Sequence, residues 1–176
     1  MRERQVTTQN STPPYIEIEK RIDKVRDEYA LVEGHFDTSE ETSPWIPFGP
    51  NIWLRHLSFD IRNNTSVHIM RADKGGSLGR HRHRAVVTGY ILSGSLRYEE
   101  YDWVARAGHY IHESPGRTHT LVSDEGMETL FHLGTPIEFL DENDNILEII
   151  DVFWMIDHYT SYCKKHNLPI NQSMFI

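Results

Sequence analysis

Gly75-Gly76-Ser77-Leu78-Gly79-Arg80-His81-Arg82-His83 is followed further on by Gly108-His109-Tyr110-Ile111-His112-Glu113-Ser114-Pro115-Gly116-Arg117-Thr118-His119. Side chains of a strand alternate between its two faces, so His81 and His83 project from the same face and can share a metal. His119 stands just after the tight turn Ser114-Pro115-Gly116-Arg117, where a return strand begins, and supplies a third imidazole from a second hairpin. Three neutral imidazoles suit Fe(II), Zn, Ni or Cu. Arg80, Arg82 and Arg84 alternate with the histidines and belong on the opposite face, as solvated or subunit-facing charges.

These residues resemble the two cupin motifs, G-x5-H-x-H-x3-E-x6-G and G-x5-P-x-G-x2-H. The first runs through Gly75, His81, His83, Val87 and Gly94, and the second through Gly108, Ser114, Gly116 and His119. Val87 stands where many cupins carry a glutamate ligand, and Ser114 where proline is expected, with Pro115 one place later. The first departure removes the fourth protein ligand and implies a three-histidine site with open positions. A wider resemblance runs from roughly Trp45 to the C-terminus. The stretches from Gly89 to Gly94, Tyr98 to Trp103 and Glu113 to Leu121 are similar to 2,4'-dihydroxyacetophenone dioxygenase and its relatives among the small three-histidine cupins, which include β-diketone dioxygenases; anti-sigma-factor-type cupins are related. The resemblance implies Fe(II), with Zn, Ni or Mn as substitutes, dioxygen, cleavage of a carbon–carbon bond beside a carbonyl, and a homodimer or homotetramer.

In enzymes of that type a glutamate at the place of Glu113 lies near the metal and can take a proton from substrate. A 2-hydroxyketone must lose one to chelate iron, and a carboxylate in an apolar pocket has a raised pKa. The alternative for Glu113 is a surface ion pair with Arg117. Keeping parity from His83, the residues Ala85, Val87, Gly89 and Ile91 face the barrel interior and make a small, apolar floor. Val87, Tyr98, Tyr101, Trp103 and His132 are candidate pocket residues. Aromatics on hairpins also pack on neighbouring sheets, and His109, His112 and His132 also read as hydrogen-bonded or exposed histidines.

The chain has 176 residues, 25% charged and 38% hydrophobic, which fits one globular domain. A formal net charge of -8 with scattered basic residues argues against nucleic acid, and no apolar run reaches membrane-spanning length. One cysteine, Cys163, excludes an intrachain disulfide framework; with nothing at the N-terminus resembling a signal peptide, a cytoplasmic location is expected.

The expected divisions are a polar, mobile arm over 1–14, an extension over 15–50 that packs on the barrel, a barrel over 51–150, and a helix and tail over 151–176. Ile18, Ile22, Val25 and Tyr29 have helical spacing, although Tyr15 to Glu19 alternates like a strand. Glu33 to Pro50 reads as a loop, with Trp45 and Phe48 lining a barrel mouth or packing outside it. Ile52 to Ile61 and Ser66 to Ala72 alternate as strands. Short strands then recur to Gly134 with turns between them, and a strand pair over 137–140 and 146–150 follows, which is the pattern of an all-β barrel or jelly roll. Asp151 to Asn167 reads as a helix with Asp151 as N-cap and Val152, Met155, Ile156, Tyr159 and Cys163 as its apolar stripe.

The expected fold is an all-β cupin double-stranded β-helix with a short N-terminal extension and a C-terminal helix. The expected activity is that of an Fe(II)-dependent dioxygenase on a small aromatic or carbonyl substrate, with Glu113 as the base. The alternatives are a β-diketone dioxygenase, a Zn or Mn Lewis-acid enzyme, and a non-catalytic metal-binding sensor.

Overall fold

The computed structural model describes residues 14–29 and 35–176, so most of the expected N-terminal arm lies outside the described residues. Helix α1 (Pro14–Tyr29) settles the ambiguous start as helix. Ile22 is its buried residue, with Val25 packed against the core and Ile18 turned to solvent.

Eleven strands follow: β1 (Ile46–Gly49), β2 (Ile52–Asp60), β3 (Thr65–Ala72), β4 (Gly76–His83), β5 (Val87–Tyr98), β6 (Val104–Arg106), β7 (Tyr110–Glu113), β8 (Thr118–Ser123), β9 (Met127–Gly134), β10 (Ile137–Leu140) and β11 (Ile146–Ile150). The stretch expected as a loop therefore contains a strand, β1, paired antiparallel with β2 through Ile46↔Leu54. Pro47 is tolerated there because β1 is an edge strand with a free side.

All pairings between named strands are antiparallel, and they build two facing layers. One layer runs β1-β2-β3-β9-β5-β7, the other β6-β5-β8-β4-β10-β11. Strand β5 belongs to both. Its first half pairs with β9 and β7, its second half with β8 and β6, and its register with β9 slips between Ile91 and Ser93. Gly94 (φ 68°) ends that pairing, and a Cβ there would lie 2.0 Å from the Gly126 carbonyl oxygen. Only glycine lets the strand pass so close to the neighbouring turn and cross to the other sheet.

The inner faces meet in one apolar core that includes Ile52, Leu54, Met70, Val87, Ile91, Leu121 and Phe131. Helix α2 (Val152–His166) covers one side. The Asp151 side chain accepts from the Trp154 N–H at its start, and Asn167 ends it in the left-handed conformation. The expected stripe is buried without exception, Cys163 included, so this thiol is a packed core group. Among the described residues no helix is long and apolar enough to cross a membrane.

Candidate metal centre

Backbone register builds the site. His81 and His83 sit two apart on β4, and His119 is the direct cross-strand partner of His81 on β8, so the three rings emerge on one face. The turn before His119 is tied to β4 by a 2.8 Å bond from the Gly116 N–H to the His83 carbonyl. Gly116 has φ 77°, a conformation that places this donor without a Cβ penalty.

The expected gap left by Val87 is filled. Val87 on β5 is the cross-strand partner of Glu113 on β7, and the two side chains share the inner face. A carboxylate absent from one strand is thus supplied by the residue opposite it. Glu113 is 6% exposed, with no ion pair to Arg117, and ligand atoms of His81, His83, Glu113 and His119 lie within 4.8 Å of one another. Glu113 therefore stands with the three expected histidines in one buried cluster able to hold a metal.

The spacings suit a shared cation. His119 Nε2 is 3.1 Å from His81 Nε2, and Glu113 Oε2 is 2.9 Å from His83 Nε2 and 3.4 Å from His119 Nε2. Donor atoms about 2.1 Å from one metal stand about 2.9–3.4 Å apart in octahedral or tetrahedral arrangements. Glu113 Oε2 nevertheless makes no well-directed hydrogen bond, because the imidazole nitrogens converge with it instead of aiming an N–H along the contact. His81 Nδ1 lies 2.7 Å from the Gly79 carbonyl. A carbonyl accepts only, so Nδ1 carries the proton and Nε2 turns its lone pair inward, the usual support of a metal-bound histidine. The donor set therefore fits a divalent ion, and imidazole with carboxylate accommodates Fe(II), Zn, Ni or Mn.

Electrostatics agree. Burial, helped by His83 and His119, lowers the His81 pKa to about 3, so the ring is neutral at physiological pH. Burial alone would raise the Glu113 pKa, as expected from the sequence; interactions with His119 and His83 outweigh it and hold the carboxyl well below the usual range. This corrects the expected raised value. Glu113 Oε1 accepts a hydrogen bond from the Tyr98 hydroxyl, whose own pKa is pushed up by burial and by the adjacent carboxylate.

The cluster opens on a cavity with about 30 Å3 for the centres of water-sized molecules, lined chiefly by Leu54, Met70, Val87, Phe131 and Met155. Phe48 reaches this wall, whereas Trp45 stays outside beneath the Arg71 guanidinium, 3.8 Å from its carbon to the ring centroid. Of the candidate pocket residues, Val87 lines the cavity and Tyr98 touches Glu113. Tyr101 and Trp103, 41% and 43% exposed, stack on each other at the edge of Tyr98, outside the cavity wall. His109, His112 and His132 face outward. On the outer face Arg82 and Arg84 each reach Glu138 at 2.6 Å and Arg80 reaches Asp144, so these arginines are paired within the chain.

Sequence reasoning passed over a second histidine group. His56 and His68 are cross-strand partners on β2 and β3, both buried. His56 Nε2 lies 3.0 Å from His158 Nδ1, and His158 Nε2 lies 2.9 Å from the Pro47 carbonyl. His68 lines the cavity, and burial, with His158 and His83 nearby, lowers its pKa to about 4. Alternation along Ser66-Val67-His68-Ile69-Met70 already pointed His68 inward with Met70.

A family model described as ChrR Cupin-like domain matches residues 28–138. No curated protein matches the chain. Among solved structures, an RmlC-like cupin protein from Ralstonia eutropha is similar at 29% identity and TM-score 0.73, over 80% of this chain and 92% of that one. An acetylacetone dioxygenase from Acinetobacter johnsonii is similar at 17% identity and TM-score 0.68, over 74% and 93%. A putative acetylacetone dioxygenase from Methylibium petroleiphilum gives 16% and 0.68, over 73% and 95%. At such identities the dioxygenase likenesses speak for a shared fold.

Proposed function

This chain belongs to the family of ChrR cupin-like domains, and from that membership and the geometry of its site we propose that it is an Fe(II)-dependent dioxygenase cleaving a carbon–carbon bond of a small 2-hydroxyketone. The observation that carries the reading is the convergence of three imidazoles and one carboxylate at a cavity walled mainly by apolar side chains. A surface site for a structural ion needs no such cavity.

Bound iron would supply the place where the ketone's oxygens and dioxygen meet. The chain's own residues do the rest. His81, His83 and His119 hold the ion without adding charge, and Glu113 adds one negative charge. Glu113 Oε2 also stands where it can take the proton that a hydroxyketone loses from its hydroxyl-bearing carbon, while Tyr98 anchors Oε1 and keeps the carboxylate aimed. The apolar wall excludes bulk water, which strengthens these interactions. Cleavage between the carbonyl and carbinol carbons consumes one dioxygen and yields two carboxylic acids, the carbinol carbon of a primary alcohol leaving as formic acid.

The size of the cavity favours an aliphatic substrate over an aromatic acetophenone. Turning the flexible Met70 and Met155 side chains accommodates a few heavy atoms more readily than a benzene ring.

The test is oxygen uptake by iron-reconstituted protein with hydroxyacetone, 2,4'-dihydroxyacetophenone and pentane-2,4-dione. Uptake with hydroxyacetone and release of formate and acetate is the expected result. Uptake with the dione alone would place the enzyme among β-diketone cleavers. No uptake, with tightly retained zinc, would replace the reading by a metal-binding sensor or a Lewis-acid enzyme.

A further inference from the structure

Apart from the metal centre, His68 is the single polar residue lining the cavity among the described residues. It comes from β3 in the sheet opposite β4 and β8, and it is 5% exposed. Met70 on the same strand and Phe131, with ring centroids 5.9 Å apart, pack beside it, and its polar neighbours on that face are Ser66 and its cross-strand partner His56. His68 Nδ1 is buried without a hydrogen-bond partner among the described residues. The nearest imidazole, His56, does not satisfy it. Their centroids are 6.3 Å apart, His56 Nε2 is committed to His158, and His56 Nδ1 is itself unpartnered.

A barrel core has no structural use for such a group. Leucine or phenylalanine at 68 would pack against Met70 and Phe131 without burying an unsatisfied nitrogen, which folding penalises. An imidazole kept at that cost needs a partner that arrives from outside. A neutral imidazole offers one donor and one acceptor, which matches a hydroxyl.

We propose that His68 is a substrate-binding residue that hydrogen-bonds an oxygen on the end of the substrate remote from the metal centre, selecting small hydroxyketones with a second hydroxyl there. This rests on the hydroxyketone reading above. Dihydroxyacetone and hydroxyacetone present the same hydroxyketone head and differ by that one remote hydroxyl.

The experiment is anaerobic calorimetric binding of both compounds to the metal-loaded full chain, as wild type, His68→Leu and His68→Gln, with metal content measured for each. Wild type is expected to prefer dihydroxyacetone by about tenfold. His68→Leu should bind the two alike at unchanged metal content and with an unfolding midpoint no lower than wild type, and His68→Gln should keep part of the preference. Should the Leu variant aggregate, His68→Phe carries the same comparison. Hydroxyacetone binding without any wild-type preference, or a preference that survives in the Leu and Phe variants, overturns the role of His68 alone. Neither compound binding wild type overturns it together with the hydroxyketone reading.

Discussion

Glu113 decides what the site is. Its Oε2 converges with His83 and His119 while Oε1 is held by Tyr98, so in the proposed reaction one carboxylate has two duties, holding the ion and taking a proton. These duties separate by substitution. His81→Ala removes an imidazole whose Nε2 faces the centre, and the purified protein should retain no stoichiometric metal. Glu113→Gln keeps the shape and the contact to Tyr98 but loses the charge. Metal affinity should fall about 10- to 100-fold, and turnover at saturating metal about 10²- to 10⁴-fold. Metal analysis beside oxygen uptake reads both, and a Gln variant with full turnover would exclude Glu113 as base. The histidines were legible in the sequence because strand alternation and motif spacing need no tertiary knowledge. Glu113 was named, but its direction was not legible: facing Arg117 or the histidines depends on the Val87↔Glu113 register, a long-range pairing. His68 was legible as inward-facing, yet nothing local shows that a cavity lies in front of it.

At the scale of elements, the β5–β7 pair transfers a carboxylate from one strand to its neighbour. Cross-strand partners on one face stand about 4.5–5.5 Å apart at Cβ, close enough for either to reach the same ion. The swap Val87→Glu with Glu113→Val should therefore restore a carboxylate to the centre and keep stoichiometric metal, although Tyr98 loses its acceptor and activity should not return. Val87→Glu alone sets two carboxylates side by side and should raise the metal affinity only at the expense of stability without metal. Calorimetric unfolding with and without metal distinguishes these outcomes, and a double variant that cannot bind metal would show that the two positions are not equivalent. Helix α2 makes a control remote from the chemistry. Asp151→Ala leaves the Trp154 N–H without its cap and should cost about 1 kcal/mol in unfolding free energy with metal content unchanged. That helix was read almost to the residue, since its cap and stripe are local signals. Strand β1 was not, because Pro47, Gly49 and Pro50 read as a loop and the strand exists by pairing with β2.

Beyond the metal centre, the described residues hold three further imidazoles with lowered pKa values: His56 and His68 buried in the core, and His158 half-buried behind them. Burial is the first cause of the lowered pKa of each, and for His68 the folded value is about 4 against an ordinary 6.5. Between those two values the unfolded chain holds a proton on this ring that the folded chain refuses. Stability therefore rises with pH across the window, and it is lost as pH falls from about 6.5 toward 4. One such proton is worth about 1.4 kcal/mol per pH unit, so His68 alone accounts for about 3 kcal/mol by the bottom of the window. The depressed Glu113 carboxyl acts with the same sign but at lower pH, since its contribution is lost only as pH falls below the ordinary carboxylate range. Urea unfolding of chelator-treated protein between pH 7.5 and 4 should thus show a steep decline beginning near about 6.5. His68→Leu should flatten that slope by about 1.4 kcal/mol per pH unit. An unchanged slope in the variant would mean that folding does not depress the pKa of His68.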